Sequence, residues 1–217
     1  SLKKISLFFL ILLPFAIIIG QAPSDIIVSS ISILFLLHSL IQKDWSWIKT
    51  KWIQRIFFLW IYLIFASFFA LDIKTAFEHS ILFVRFFIFA IALQYWILSN
   101  KRFLKYVLYS ISVAFIFVFI DTFYQFLHFD LNKGYGPDIL GYYSNDHFRL
   151  TGPFRSNIPG AYLSKFFFIV FLFTIVKLKK SKNDSLLFVP LVTLGFFLVF
   201  LTGEAMSFAS IGLGLLI

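Results

Sequence analysis

The sequence predicts an all-α protein, a polytopic transmembrane helical bundle of about eight spans with the last one truncated. Three observations carry that reading. The 217 residues are 60% hydrophobic with a mean hydropathy of +0.93, whereas a soluble domain is roughly 45–50% apolar. Long apolar runs follow one another with little between them. Most of the 19 Lys and Arg gather in alternate connections, as in a multi-pass membrane protein. No cysteine occurs, which excludes disulfides and thiolate metal sites. A net charge of +9 could serve nucleic acid, but its place in short connections assigns it to topology, so no nucleic-acid partner is expected.

The apolar runs cover roughly 5–20, 26–41, 56–71, 76–98, 103–127, 159–176, 185–202 and 206–217. A span needs about 20 residues to cross a hydrocarbon core of about 30 Å, so the shorter runs must borrow interfacial residues such as Trp52. The first run has no small-residue cleavage site and a second follows closely, so it reads as a span rather than a signal peptide. Lys3 and Lys4 precede the first span. Lys43, Lys49, Lys51 and Arg55 follow the second, Lys101, Arg102 and Lys105 the fourth, and Lys177, Lys179, Lys180 and Lys182 the sixth. With eight spans these all fall on one side, the cytoplasm, together with the N-terminus. The loops 20–25, 72–79 and 128–158 then lie outside.

The segment 42–55, QKDWSWIKTKWIQR, reads as a cytoplasmic interfacial stretch. Trp45, Trp47 and Trp52 are expected at headgroup level, with the lysines toward anionic lipid. A topological anchor without further function is the plainer reading. The final run, 206–217, would be only about 18 Å long as a helix, too short to cross, so the chain is expected to be a fragment of a longer protein. No repeat, low-complexity tail or second domain is visible, so residues 1–217 read as a single transmembrane domain.

Chemistry concentrates in a few places. Arg85 lies in the middle of the fourth span, where an Arg is costly and faces a partner or a wet cavity. Asp121 in the fifth span lies at a similar depth, so the two could form a structural ion pair that locks two helices. Arg85 could instead be a cation at the floor of an outward-open cavity. Asp121, Gln125 and His128 are spaced i, i+4, i+7 and share one helix face, expected to be a wet rim facing the long loop. Asp and His could bind a metal, but no third ligand stands at a diagnostic spacing, and no metal or other cofactor is expected. The outer loop 128–158 carries Asp130, Lys133, Asp138, Tyr142, Tyr143, Asp146 and His147 among Gly134, Gly136, Pro137 and Gly141. Tyrosines interleaved with polar groups suit a sugar-binding surface, and so long a loop is rarely a mere connection.

The loop ends in Arg149-Leu150-Thr151-Gly152-Pro153-Phe154-Arg155-Ser156-Asn157-Ile158-Pro159-Gly160, which opens the sixth span. Two guanidiniums at a membrane surface suit a phosphate-bearing lipid, because their forked N–H groups match phosphate oxygens in pairs. The seventh span ends in Thr202-Gly203-Glu204-Ala205, a tight turn before the last run. No Ser/His/Asp arrangement, nucleotide-type Gly loop or zinc-protease pattern occurs.

Arg149 to Leu163, Thr202-Gly203-Glu204, and Arg85-Phe86-Phe87-Ile88-Phe89-Ala90 together resemble the O-antigen ligase and polymerase superfamily of bacterial inner membranes. The resemblance covers about 76–217 and implies a multi-pass inner-membrane glycosyltransferase with its N-terminus in the cytoplasm. It implies metal-independent, inverting transfer at the periplasmic face. The donor would be an undecaprenyl-diphosphate-linked glycan, and the acceptor lipid A-core or a growing glycan, with membrane lipids as neighbours. The implied substrate-binding residues are Arg149, which leads, then Arg155, Arg85 and Glu204. The catalytic His of such proteins comes from a later loop, so no catalytic residue is expected here. Where such proteins favour Arg after Gly-Glu, this chain has Ala205. The alternative from another class is a lipid-linked oligosaccharide flippase or other transporter. That would place polar residues deep in many spans, whereas polarity here clusters at the outer ends of spans four to seven.

Overall fold

The computed structural model describes residues 2–143, 149–154, 159–178 and 184–216. About 79% of the described residues are helical. The helices are α1 (Leu2–Ile19), α2 (Gln21–Gln42), α3 (Lys51–Ser67), α4 (Ile73–Leu82), α5 (Val84–Ile91), α6 (Lys101–Leu127), α7 (Pro159–Leu178), α8 (Asp184–Leu201) and α9 (Ala205–Leu216). One π-helical stretch, Ala92–Ile97, continues α5. Sheet is confined, among the described residues, to an antiparallel pair of two-residue strands, β1 (Phe129–Asp130) and β2 (Gly134–Tyr135).

Among the described residues, five helical stretches are long and apolar enough to cross a membrane: Leu2–Ile19, Gln21–Gln42, Ile73–Ile97, Lys101–Leu127 and Pro159–Val176. The expected count of about eight is not reached on that measure. α3 has 17 residues and begins with Lys51, Gln54 and Arg55, which shorten its apolar part. The last two runs contribute the shorter apolar stretches Val192–Leu201 and Ala205–Gly214.

The chain packs as two compact units, Ser1–Val107 and Leu108–Ile217, with the boundary inside α6. In the first, α1 packs on α2, α2 on α5, and α3 on α4. Its core holds Leu10, Ile31, Phe35, Ile53, Ile91 and Ile97, all buried. The opposite faces stay apolar and open: on α3, Phe58 is 73% and Tyr62 64% exposed. Lipid rather than water suits such faces. In the second unit α7, α8 and α9 pack on one another around Leu163, Phe167, Leu198, Val199 and Ile211.

The 42–55 segment packs part of itself against α2. After α2, Lys43 adopts a left-handed conformation (φ 51°) and a 3-10 turn follows at Ser46–Lys49. Trp47 is buried, its ring centroid 5.4 Å from that of Phe35 and its Nε1 donating to Ser39 Oγ at 3.2 Å. Trp45 remains exposed, as do Lys43, Lys49 and Lys51. Trp47 belongs to the core because Ser39 gives its indole N–H a partner there.

Candidate functional site

The polar face of α6 is the frame on which the long loop is folded. Gln125 is fully buried, and its Oε1 accepts from the backbone N–H groups of Thr151 and Gly152, both at 2.9 Å. Its Nε2 donates to Gly136 O and Thr151 Oγ1, each at 3.3 Å. One turn earlier, Asp121 Oδ1 accepts from the N–H of Ile139 at 2.8 Å. Beside it, Asp138 folds its own turn, Oδ1 accepting from Tyr142 N at 2.7 Å. The Oδ2 atoms of both aspartates are buried with no hydrogen-bond partner among the described residues. Thr122 completes the frame. Gly152 has φ 52°, and a Cβ built there would collide with Thr122 Oγ1. Only glycine satisfies both the turn and the close approach.

Within the loop, β1 and β2 form a small hairpin. Asp130 Oδ1 accepts from Asn132 N at 2.7 Å and from Lys133 N at 3.1 Å, and these bonds hold its carboxyl below the usual carboxylate range. Burial pushes the Tyr135 phenol up from its ordinary value.

The expected wet rim is therefore wrong for two of its three residues. Asp121 and Gln125 are buried because they supply partners for a backbone segment that lacks secondary structure of its own. His128 is exposed, its ring centroid 4.2 Å from that of Tyr124.

Residues 149–154 form a buried turn. Leu150, Thr151 and Phe154 are buried, and the Phe154 ring lies 5.5 Å from Tyr162 of α7. Arg149 stands half-buried at the start of this turn. Among the described residues no carboxylate pairs with it. Arg155 lies outside the described residues. The Thr202–Glu204 turn meets the start of α7. A Cβ on Gly160 would collide with Thr202 Oγ1 and come within 3.1 Å of the Glu204 carboxylate. Glu204 Oε2 accepts from Ser207 Oγ at 3.0 Å, while its buried Oε1 has no partner among the described residues. The carboxylate thus sits at the first turn of α9 and close to that of α7, where helix dipoles favour negative charge.

Arg85 lies in the other compact unit and is held by Asp25 rather than by Asp121. Its Nη2 is 2.8 Å from Asp25 Oδ2, and each side chain is about 30% exposed (30% and 29%). Ser32 Oγ donates to the Arg85 carbonyl at 2.8 Å. Asp25 was missed because it stands at the edge of a short loop. Its signal was the spacing Asp25, Ser32, Ser39, seven residues each time, which aligns three polar groups on one face of an otherwise apolar α2.

Comparison with protein-family models, with curated proteins and with solved structures finds no match to this chain.

Proposed function

We propose that this chain forms the donor-holding part of a bacterial inner-membrane glycosyltransferase of the O-antigen ligase or polymerase type. Arg149 grips the diphosphate of an undecaprenyl-diphosphate-linked glycan at the periplasmic face. The observation that carries this reading is the base under Arg149. Gln125 clamps the turn that follows it, so the guanidinium starts from a fixed backbone, and no described carboxylate neutralises it.

In the reaction an acceptor hydroxyl, on lipid A-core or on a growing glycan, attacks the anomeric carbon. The bond from that carbon to the diphosphate oxygen breaks, and the electron pair leaves with undecaprenyl diphosphate. The hydroxyl proton passes to a general base. A fixed guanidinium stabilises the charge growing on the leaving group, and more strongly where water is excluded. Arg155, Arg85 and Glu204 stand behind Arg149 as candidates. Arg85 has its charge matched by Asp25, and Glu204 suits a helix-start role as well as a substrate one.

The test is glycan transfer in cells that depend on this protein. Arg149→Lys keeps the charge but loses the two-pronged fork, and transfer should fall by about 10²–10³ at equal expression. Arg155→Lys should cost less. Intact transfer in Arg149→Ala would rule out this site.

A further inference from the structure

α7 carries a charge on the face it turns away from the protein. Leu163, Phe167 and Val170 are buried against its neighbours, while Lys165, Ile169, Leu172 and Val176 lie exposed at i, i+4, i+7 and i+11. In a helix long and apolar enough to cross a membrane, that stripe faces lipid. Lys165 stands about 9 Å along the axis from Pro159, within snorkelling reach of a headgroup layer. No described carboxylate pairs with it.

Lys165 is not alone on that face. With Ala161 and Ser164 of α7, and Met206, Ser207 and Ser210 of α9, it lines a cleft of about 260 Å³. Met206, at the cleft's edge, is 83% exposed, so the cleft opens outward to the lipid side. Ser164 donates to Ala161 O, Ser210 to Met206 O and Ser207 to Glu204 Oε2. The hydroxyls of Ser164 and Ser210 can turn from those carbonyls toward an incoming anion. Lysine supplies the charge, as a flexible ammonium with three donors.

We infer that this cleft binds the phosphate of an anionic membrane glycerophospholipid, with Lys165 as the cation and Ser164 and Ser210 as hydroxyl donors. The acyl chains then run down the apolar stripe of Ile169, Leu172 and Val176. An unmatched lysine on a lipid-facing stripe is costly, and a headgroup phosphate offsets that cost where the helix itself does not. The site goes beyond the proposed glycosyl transfer and does not depend on it, since it uses neither Arg149 nor the long loop.

The experiment is native mass spectrometry of the detergent-solubilised protein. The probes are phosphatidic acid and diacylglycerol with the same acyl chains, so that the two differ only in phosphate. The wild type should retain phosphatidic acid at least about fivefold better, the effect of one lysine near a lipid phosphate. Lys165→Gln should lose that preference, and Lys165→Arg, which keeps the charge, should retain it. Equal retention of both lipids by the wild type would overturn the proposal, and so would an undiminished preference in Lys165→Gln. Inorganic phosphate that displaces phosphatidic acid at equal concentration would overturn the assignment to a lipid. Wild-type retention with loss in both Lys165 variants would show that the cation is not what binds.

Discussion

Gln125 meets its neighbours with both ends of one side-chain amide, accepting two backbone N–H groups and donating to a carbonyl and a hydroxyl. Gln125→Leu keeps most of the volume and removes every one of these bonds. Two buried N–H groups would be left unpaired at about 1–3 kcal/mol each, so about 2–6 kcal/mol of stability should go. The measurement is thermal unfolding in detergent, together with protease cleavage inside 128–158. A variant as heat-resistant and protease-resistant as the parent would show that the clamp is dispensable. Asp72 works at the same scale but on the surface. The Thr75 hydroxyl, then the Thr75 N–H, hold its carboxyl below the ordinary carboxylate range while it caps α4. A depressed pKa in the folded state means that the cap stabilises above the unfolded value and is lost as pH falls through the folded one. The first turn of α4 should therefore open on acidification below about pH 4. Amide exchange at Thr75 and Ala76, corrected for intrinsic rate, should rise there in the parent and show no such step in Asp72→Asn.

Between elements, the Arg85–Asp25 pair ties α5 to α2. Losing one partner of a fully buried pair costs about 3–5 kcal/mol, and the partial exposure of this one lowers the expectation to about 1–3 kcal/mol. Asp25→Asn and Arg85→Gln should each destabilise the protein in detergent, and the double variant should recover part of the loss. Strictly additive losses would mean that the pair contributes nothing as a pair. This is also where sequence reading met its limit. Helix extents were legible: the run at 103–127 became α6 at Lys101–Leu127, and that at 159–176 became α7 at Pro159–Leu178. Apolar length and a terminal Pro carry that information locally. The shared face of Asp121 and Gln125 was legible for the same reason, since helix periodicity is local. Which carboxylate reaches Arg85 was not, because depth along a span is common to several helices and adjacency is a tertiary property. The packing of Trp47 was not legible, because an aromatic between lysines does not reveal which neighbours it meets, here Ser39 and Phe35. The two-residue strands left no periodicity to read.

At the scale of the whole molecule, the alternation of basic connections implies an orientation that the helices themselves do not reveal. The chain has no cysteine, so single cysteines can report it directly. With a membrane-impermeant thiol reagent on intact cells, Asn132→Cys should be labelled and Lys43→Cys protected, both positions being exposed on the protein. The reverse pattern would put the 128–158 loop in the cytoplasm and remove the ground for periplasmic chemistry. The clamp on α6 carries a further consequence, for how this molecule can change. The loop's length is free, because its ends are gripped at separate points and the stretch between grips obeys no repeat. The helix enjoys no such freedom. One residue inserted between Asp121 and Gln125 advances the later side chain by about 100° around the axis, so that the two grips no longer face the same way. Insertions and deletions should therefore accumulate between Tyr142 and Arg149, while the four-residue phase from Asp121 to Gln125 stays fixed.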